Sequence, residues 1–281
     1  MNSHVNQDSL NQEWRDWVIA GLRRDCSPQE MCKRMMEAQW SYEVAAQAID
    51  DASRSLGRPC NWRLLLPTIP NSQNFDVGGK TIRVLSRIDR PNAALLDGIL
   101  TEEEASALIG LALEKGLQRS GVVDDLNGSS IRHDARTSSS IHFKRAETPL
   151  IKVLEERLAA LTNWPITHAE GIQVLRYEPG QQYKAHFDWF CPEKSGSEKH
   201  LNNGGQRLGT TVVYLATAEQ GGGTRFPEAG VEVFPRVGGG VFFRDVSPFG
   251  ETDPFSLHSG CPVISGTKIV ATYWQRESAV T

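Results

Sequence analysis

A histidine and an aspartate one residue apart, with a second histidine and a lysine much further along the chain, are the residues best suited to chemistry. They are His186, Asp188, His258 and Lys268. Two imidazoles and one carboxylate, with no thiolate, form the facial triad typical of non-haem Fe(II) sites, and such a triad leaves coordination positions open. The pattern therefore predicts that His186, Asp188 and His258 bind iron and form the catalytic centre.

Two other interpretations of the same residues have to be weighed. A His-x-Asp tripeptide occurs often by chance, and its two side chains can simply hydrogen-bond to each other. A zinc hydrolase can also combine two histidines with a carboxylate. Zinc would leave Lys268 without an obvious task, so iron is the metal that the whole set favours.

The spacing of His186 and Asp188 requires an extended backbone. Residues two apart project from the same face of a strand, whereas on a helix this spacing separates them by about 200°. Residues 183–189 are rich in the aromatic side chains that favour strands. We therefore expect a strand over 183–189, with His258 on a neighbouring strand of the same barrel.

Short β-type runs separated by glycine and proline turns dominate the chain after Trp164. They cover residues 171–177, 183–189, 209–216, 231–234, 240–244 and 268–275. Many short strands with turn signals indicate an antiparallel sandwich or barrel, not a parallel α/β sheet. Before them we expect a strand over 81–87 and helices over 101–115 and 147–161, which gives a mainly β fold with flanking helices.

The N-terminal part of the chain has a different pattern. Apolar residues recur at helical spacing between residues 12 and 56, and Ser27 begins a sequence typical of a helix N-terminus. The stretch from 57 to 80 holds three prolines and little periodicity. We predict a small N-terminal all-α module over 1–56, a surface linker over 57–80 and a catalytic domain over 81–281.

Composition and charge limit the partners. Of 281 residues, 39% are hydrophobic and 23% charged, as in soluble globular proteins. A net charge of −4 supplies no basic field for nucleic acid or an anionic membrane. No segment has the length and apolarity of a membrane span, and the N-terminus lacks a signal-peptide pattern. Five cysteines without a CxxC pair favour reduced thiols and a cytoplasmic location.

Five segments flank or contain the candidate ligands, namely 176–188, 204–216, 221–235, 238–243 and 258–276. Together they resemble the prolyl 4-hydroxylase family of Fe(II)/2-oxoglutarate-dependent dioxygenases, and 131–143 is similar to the family's Arg-Thr-Ser segment. The resemblance implies a double-stranded β-helix, or jelly roll, with its core over about residues 165–276. It also implies Fe(II) as metal, 2-oxoglutarate and O2 as cosubstrates, and ascorbate as an additional cofactor.

The resemblance also assigns roles outside the metal triad. Lys268 would form a salt bridge with the distal carboxylate of 2-oxoglutarate, and Tyr177 and Thr224 would hydrogen-bond to it. A buried lysine is costly without such an anion, which supports this role on physical grounds. Arg207 matches a position associated with peptide substrate, and Tyr183 matches one near the open iron site.

Three further features are candidates for the substrate side of the site. On a strand, Trp274 shares the face of Lys268, which makes it a candidate wall of the pocket. The glycine-bearing segment 120–136 is a candidate loop that closes over the substrate. The hydrophilic stretch 192–203 is expected to be a solvated loop near the pocket mouth.

The expected reaction is hydroxylation of a prolyl residue in a peptide or protein, with 2-oxoglutarate and O2 converted to succinate and CO2. Asp188 argues against halogenation, which in such a family requires the carboxylate to be missing. The alternatives are a hydroxylase of a free amino acid or small metabolite, and a catalytically silent binding or sensor module. The expected partner is thus a peptide, a protein or an amino-acid-like metabolite, with neither nucleic acid nor membrane.

Overall fold

A computed structural model gives the fold of the protein. It describes residues 10–120 and 136–281, together with the backbone of residues 122–123 and 130–131. The chain divides into two compact units, Met1–Leu65 and Leu66–Thr281. The boundary between these units falls within the segment 57–80.

The first unit is helical, as its sequence predicts. Its helices are α1 (Gln12–Arg23), α2 (Pro28–Glu37) and α3 (Tyr42–Ser55). The side chains of Asn11, Ser27 and Ser41 each accept a hydrogen bond from the backbone N–H three residues later, which is an N-cap contact. Met35 and Ile49 are fully buried and contribute to the small core of this unit.

The second unit consists mainly of short strands. The strands are β1 (Asn74–Val77), β2 (Lys80–Ile88), β3 (Ala93–Asp97), β4 (Gln118–Arg119), β5 (Val122–Val123), β6 (Ser130–Ile131), β7 (Ser139–His142), β8 (Gln173–Tyr177), β9 (Tyr183–His186), β10 (Arg207–Ala216), β11 (Gln220–Gly221), β12 (Thr224–Phe226), β13 (Val231–Val233), β14 (Gly240–Arg244), β15 (His258–Gly260), β16 (Val263–Ser265) and β17 (Lys268–Arg276). The helices are α4 (Glu102–Lys115), α5 (Pro149–Leu161) and α6 (Ser195–Leu201). Among the helices of the described residues, none is long and apolar enough to cross a membrane.

Eight of these strands, four from each of two sheets, form the centre of the fold. In the large sheet β14, β10, β17 and β8 lie side by side, and β13, β12, β15 and β9 form the small sheet. The pairings described within both sheets are antiparallel. This strand order is that of a double-stranded β-helix, so the predicted antiparallel jelly roll is confirmed. The strands β1, β2 and β3 extend the large sheet at one edge, and β7 and β4 extend it at the other.

Apolar side chains cover both faces of the large sheet. The layer shared with the small sheet includes Leu175, Tyr177, Val212, Tyr214, Phe226, Val233, Val241, Phe243, Val263 and Val270. The layer on the opposite face includes Leu108 of α4 and Ile151, Leu154 and Leu158 of α5. As a result β17 is buried along its whole length. Polar side chains on this strand are therefore held within packed surroundings.

Three details differ from the sequence prediction. The strand expected over 183–189 ends at His186. Its partner β15 begins at His258, directly opposite His186, so residues 187–189 have no residue of β15 opposite them. The stretch 192–203 is not only a solvated loop, since it contains α6 with Ser197 buried. The segment 57–80 contains β1, which pairs with β2, so its irregular part is shorter than we predicted.

Candidate active site

The three candidate metal ligands meet where β9 ends and β15 begins. His186 and His258 are register partners, and Asp188 is the second residue after the end of β9. One ligand atom of each residue lies within 4.8 Å of the other two. Nε2 of His186 is 3.6 Å from Oδ1 of Asp188, and Nε2 of His258 is 3.7 Å from Oδ2 of Asp188. The structure therefore brings the predicted triad together in a cluster that a single ion can bridge.

Hydrogen bonds on the far side of each imidazole ring decide which nitrogen faces the cluster. Nδ1 of His186 is 2.8 Å from the carbonyl oxygen of Lys184, and Nδ1 of His258 is 2.9 Å from that of Ser256. A carbonyl oxygen can only accept, so each Nδ1 carries the hydrogen and donates it. Each Nε2 is then left with its lone pair, which is the form that binds a metal.

Asp188 is anchored by two donors from the large sheet. Its Oδ2 accepts a hydrogen bond from Thr210 Oγ1 at 2.8 Å and another from Trp274 Nε1 at 2.9 Å. Thr210 on β10 and Trp274 on β17 are opposite each other in the pairing of these two strands. One carboxylate oxygen is thus fixed by the sheet, and Oδ1 lies on the side of His186.

Burial and neighbouring groups set the protonation of the cluster. Burial by itself would raise the pKa of Asp188, but His258 and His186 beside it hold the pKa of this carboxyl well below its usual range. Burial, reinforced by the adjacent His186, lowers the pKa of His258 to about 4. At neutral pH Asp188 is therefore ionised and His258 neutral, the forms in which both bind a metal.

Lys268 is a buried cation in the same unit. It is 3% exposed, and its Nζ donates to the carbonyl oxygen of Gly223 at 3.4 Å. Within the part of the chain that the structure describes, no carboxylate forms an ion pair with it. Burial lowers the pKa of Lys268 to about 8. A buried ammonium group of this kind is stabilised by an anion, so Lys268 is suited to bind a carboxylate.

Hydroxyl-bearing side chains surround Lys268. Its Nζ is 5.4 Å from the ring centre of Tyr177 and 5.0 Å from that of Tyr214. The Tyr214 hydroxyl is in turn 2.6 Å from Oγ1 of Thr224. Tyr177, Tyr214 and Thr224 are buried. Tyr177, Tyr214 and Thr224 therefore lie near Lys268, and hydrogen bonds from Tyr177 and Thr224 to a cosubstrate stay predictions.

Tyr183 packs directly on a candidate ligand. Its ring is stacked on that of His186, with the ring centres 3.5 Å apart and the planes 16° apart. The guanidinium carbon of Arg136 is 4.9 Å from the centre of the Tyr183 ring. Burial raises the pKa of Tyr183 to about 12. At neutral pH Tyr183 is therefore a neutral phenol, and its ring packs against the imidazole of His186.

Arg207 links Asp188 to an acidic residue, Glu170. Nε and Nη2 of Arg207 donate to the two carboxylate oxygens of Glu170 at 2.7 and 2.8 Å, and Nη1 donates to the carbonyl oxygen of Asp188 at 3.2 Å. The guanidinium carbon is 4.2 Å from the ring centre of Trp274. Burial alone would lower the pKa of Arg207, but Glu170 outweighs it and raises that pKa. Arg207 and Trp274 both contact Asp188, and binding of substrate by either stays a prediction.

The candidate closing loop over 120–136 lies largely outside the described residues. Its two ends, Ser120 and Arg136, are described and buried. Nη2 of Arg136 donates to the side-chain oxygen of Gln173 at 2.9 Å. The role of this loop in covering the substrate stays a prediction.

Comparison with known proteins identifies the family. Residues 172–276 match the 2OG-Fe(II) oxygenase superfamily. The chain is 38% identical over 206 residues to Prolyl 4-hydroxylase 2 of Arabidopsis thaliana, which covers 66% of this chain and 67% of that protein. It is 32% identical over 249 residues to Probable prolyl 4-hydroxylase 8 of the same plant, with 81% and 84% covered. The chain belongs to the prolyl 4-hydroxylase family.

A solved structure agrees with this membership. The viral collagen prolyl hydroxylase of Paramecium bursaria Chlorella virus-1, in complex with 2-oxoglutarate, is 29% identical to this chain. The superposition has a TM-score of 0.51 and covers 65% of this chain and 94% of the viral one. As a member of the prolyl 4-hydroxylase family, the protein is a 2-oxoglutarate-dependent dioxygenase that uses Fe(II), 2-oxoglutarate and O2.

The residues present fit the metal and the cosubstrate of the prolyl 4-hydroxylase family. Two neutral imidazole nitrogens and a carboxylate oxygen suit Fe(II) and leave positions open for further ligands. The buried ammonium group of Lys268 suits the second carboxylate of 2-oxoglutarate.

Three residues that contact this site were missed by the sequence analysis. They are Glu170, Thr210 and Tyr214. Thr210, Val212 and Tyr214 alternate along β10, so the period of a strand places them on one face. That alternation is the signal that could have found Thr210 and Tyr214. Glu170 precedes β8 and carries no comparable signal.

Proposed function

We propose that this prolyl 4-hydroxylase family member hydroxylates a prolyl residue in a peptide or protein and converts 2-oxoglutarate and O2 to succinate and CO2. The relatives named as prolyl 4-hydroxylases support this substrate class. The observation that carries the proposal is the pairing of a two-histidine, one-aspartate cluster with the buried Lys268, for which the described residues offer no carboxylate partner. A dianionic cosubstrate that chelates iron at one end satisfies both.

We assign Fe(II) to Nε2 of His186, Nε2 of His258 and the carboxylate of Asp188. The contacts of the opposite ring nitrogens and of Oδ2 orient all three groups toward one point. When bound, the iron, 2-oxoglutarate and O2 together supply the oxidant that hydroxylates an unactivated C–H bond. The protein contributes the orientation of the ligands and a largely buried setting that limits access of water.

We assign the distal carboxylate of 2-oxoglutarate to Lys268, Tyr177 and Thr224. Lys268 supplies the charge, and the two hydroxyl groups are hydrogen-bond donors within the same apolar surroundings. The turn at Gly222 leaves room for the lysine stem, because a Cβ there would be 3.4 Å from Cδ of Lys268 and 3.1 Å from Cβ of Ala218. Its φ of +71° also favours glycine at this turn.

The substrate is proposed to lie on the side of the cluster where Tyr183 stacks on His186. Arg207 and Trp274 are assigned to the same side, with their contacts to Asp188 as the support for this placement. An apolar and aromatic surface suits a pyrrolidine ring better than a charged metabolite.

The substrate class is tested with matched peptides. The protein is incubated with Fe(II), 2-oxoglutarate, ascorbate and O2, together with proline-containing peptides, the same peptides with alanine in place of proline, or free proline. Succinate is quantified, and mass spectrometry searches each product for the gain of one oxygen atom. We expect the mass gain on proline in the peptides and none on the alanine controls.

Each alternative function predicts a different result in this experiment. A mass gain on free proline alone would support the amino-acid hydroxylase and contradict the proposal. Absence of succinate with every substrate, in protein that binds metal, would support a silent binding module instead. Capture of proteins from a lysate, followed by the same search for one added oxygen, then identifies the natural polypeptide.

We also propose an additional cofactor and a cellular compartment for the protein. Ascorbate is proposed as a cofactor from the resemblance to the prolyl 4-hydroxylases, and omitting it from the assay tests this directly. The cytoplasm is proposed as the compartment, which the absence of a disulfide among the five cysteines supports. Fractionation of cells that express the protein checks the second point.

A further inference from the structure

The hydroxyl group of Thr210 lies between two buried carboxyl groups. Its Oγ1 is 2.8 Å from Oδ2 of Asp188 and 2.9 Å from Oδ2 of Asp245. Asp245 directly follows β14 and is fully buried. The other oxygen of Asp245, Oδ1, has no hydrogen-bond partner among the described residues. A carboxyl group in such surroundings is costly to keep ionised.

A count of hydrogens decides how these three groups are connected. A threonine hydroxyl has one hydrogen, so it cannot donate to two carboxylates at once. If both aspartates were ionised, one short oxygen–oxygen contact would lack a hydrogen, and two like charges would be buried on either side of Thr210. If Asp245 carries a proton on Oδ2, it donates to Thr210, and Thr210 donates to Asp188. Both contacts are then satisfied.

We propose that Asp245 is a positioning residue that acts as a neutral carboxylic acid and, through Thr210, orients Asp188 for metal binding. Asp188 stays the ionised member, because Trp274 also donates to its Oδ2 and the two histidines lie beside it. The chain of donors runs from Asp245 to Thr210 to Asp188. The inference rests on the proposed function, since it concerns the ligand that we assign to the metal.

The surroundings of Asp245 agree with a neutral group. Burial and the nearby carboxylate of Asp188 raise the pKa of Asp245 well above its usual value, against the lowering effects of the Thr210 hydrogen bond and of Arg207. The third acid in the vicinity, Asp253, adds to the rise. Arg207 does not neutralise Asp245 directly, because its donors bind Glu170 and the carbonyl oxygen of Asp188.

The test measures binding of Mn²⁺ alone to the full-length protein by titration calorimetry. Asp245→Asn keeps the shape and supplies an N–H donor to Thr210, so we expect its Kd to stay within about threefold of wild type. Asp245→Ala and Thr210→Val each interrupt the hydrogen bonds that run from Asp245 through Thr210 to Asp188. We expect the Kd of Mn²⁺ in these variants to rise about 10- to 100-fold, as for other partners of metal ligands. Thr210→Ser restores the hydroxyl group and should recover most of the affinity.

Asp76→Asn is the matched control. Asp76 on β1 also accepts a hydrogen bond from a threonine hydroxyl, that of Thr81 at 2.6 Å, but it is exposed at the edge of the large sheet, so its replacement should leave the Kd of Mn²⁺ unchanged. Infrared spectra provide a second readout, because a protonated carboxyl has a C=O stretch that an ionised one lacks. We expect a band of this kind in the wild type at neutral pH that is lost in Asp245→Asn.

Several results would overturn the inference. If Asp245→Asn weakens Mn²⁺ binding as much as Asp245→Ala, the site needs a charge at this position and Asp245 is not neutral. If Asp245→Ala and Thr210→Val bind Mn²⁺ as tightly as the wild type does, the hydrogen bonds from Asp245 through Thr210 do not position Asp188. If Asp245→Ala does not fold, the Thr210→Val and Thr210→Ser pair decides. Failure of the wild type itself to bind Mn²⁺ would contradict the proposed function instead.

Discussion

Lys268 is the residue at which cosubstrate binding can be separated from metal binding. Replacing it with alanine removes a charge-assisted contact worth about 1.5–3 kcal/mol, so we expect the KM for 2-oxoglutarate to rise about 10- to 100-fold in Lys268→Ala. The affinity for Mn²⁺ should change little, because Lys268 does not contact the ligand cluster. Succinate formation at varied 2-oxoglutarate and calorimetry with Mn²⁺ measure the two effects.

Lys184→Ala serves as the control for this variant. Lys184 lies on β9 near the cluster, but its side chain is exposed. We expect its replacement to leave the KM for 2-oxoglutarate unchanged. Equal losses of metal and cosubstrate affinity in Lys268→Ala would contradict the role assigned to Lys268.

The protonation of Lys268 predicts a pH dependence. Its pKa is lowered to about 8 by burial, so the side chain is a cation below that pH and becomes neutral as the pH rises. Binding of the carboxylate needs the cation, so the KM for 2-oxoglutarate should rise with pH above about 8, by up to tenfold per pH unit. Steady-state assays between about pH 7 and pH 9.5 check this. A KM that falls or stays constant across that range would contradict the assignment.

At the scale of single residues, the sequence predicted the groups with distinctive chemistry. His186, Asp188 and His258 lie together and Lys268 is buried, while their roles in binding metal and cosubstrate stay predictions. The sequence did not reveal the residues that hold them in place, because a threonine such as Thr210 is an ordinary strand residue until the partner strand is known. Those contacts depend on the register between strands that are distant in the sequence.

At the scale of elements, the paired strands β10 and β17 are held against the segment before β8 by one ionic cluster. Glu170 accepts from Arg207 on β10 and from Arg276 on β17, the latter at 2.9 Å. Glu170→Ala would leave two largely buried guanidinium groups without their carboxylate partner. We expect it to lower the free energy of unfolding by about 3 kcal/mol, at the low end for a buried pair because the Glu170 side chain is 22% exposed.

Chemical denaturation of Glu170→Ala tests this, with Glu156→Ala as the surface control. Glu156 pairs with Lys152 at 3.7 Å on α5, and its side chain is 55% exposed. The control should cost at most about 0.5 kcal/mol. A loss in Glu170→Ala no larger than that of the control would show that the cluster does not stabilise the fold.

The elements were predicted best where local signals are strong. The runs that became β10, β14 and β17 are rich in β-branched and aromatic residues, and Thr101 with Glu104 forms a capping box at the start of α4. The strand β3, with the sequence AALLD, was missed because alanine and leucine are not typical strand formers. The strand β7 is too polar, and β12 and β15 are too short, to be recognised without their partners.

At the scale of the whole molecule, each of the two units has its own buried core. We therefore predict that residues 66–281 fold without the helical unit and retain succinate formation. A cut after Leu65 preserves Pro67, whose carbonyl oxygen accepts from Nε of Arg244 at 2.9 Å. Thermal unfolding and a 2-oxoglutarate turnover assay check the prediction. A truncated protein without a cooperative transition would show that the catalytic unit needs the helices.

The overall architecture was predictable in class but not in detail. Turn signals between short strands indicated an antiparallel barrel, and caps with helical spacing indicated the N-terminal helices. The order of the nine-stranded sheet was not predictable from local patterns, because it pairs strands such as β3 and β14 that are far apart in the chain. Long-range pairing depends on how all the strands pack together.

The central claim is that His186, Asp188 and His258 form the site at which O2 is used to hydroxylate a prolyl residue. The most direct test follows oxygen from isotopically heavy O2 into a proline-containing peptide, in the wild type and in His186→Ala. We expect one heavy oxygen atom on proline for each succinate formed by the wild type, and neither product from the variant. Undiminished succinate and label in His186→Ala, or oxygen derived from water in the wild-type product, would contradict the account.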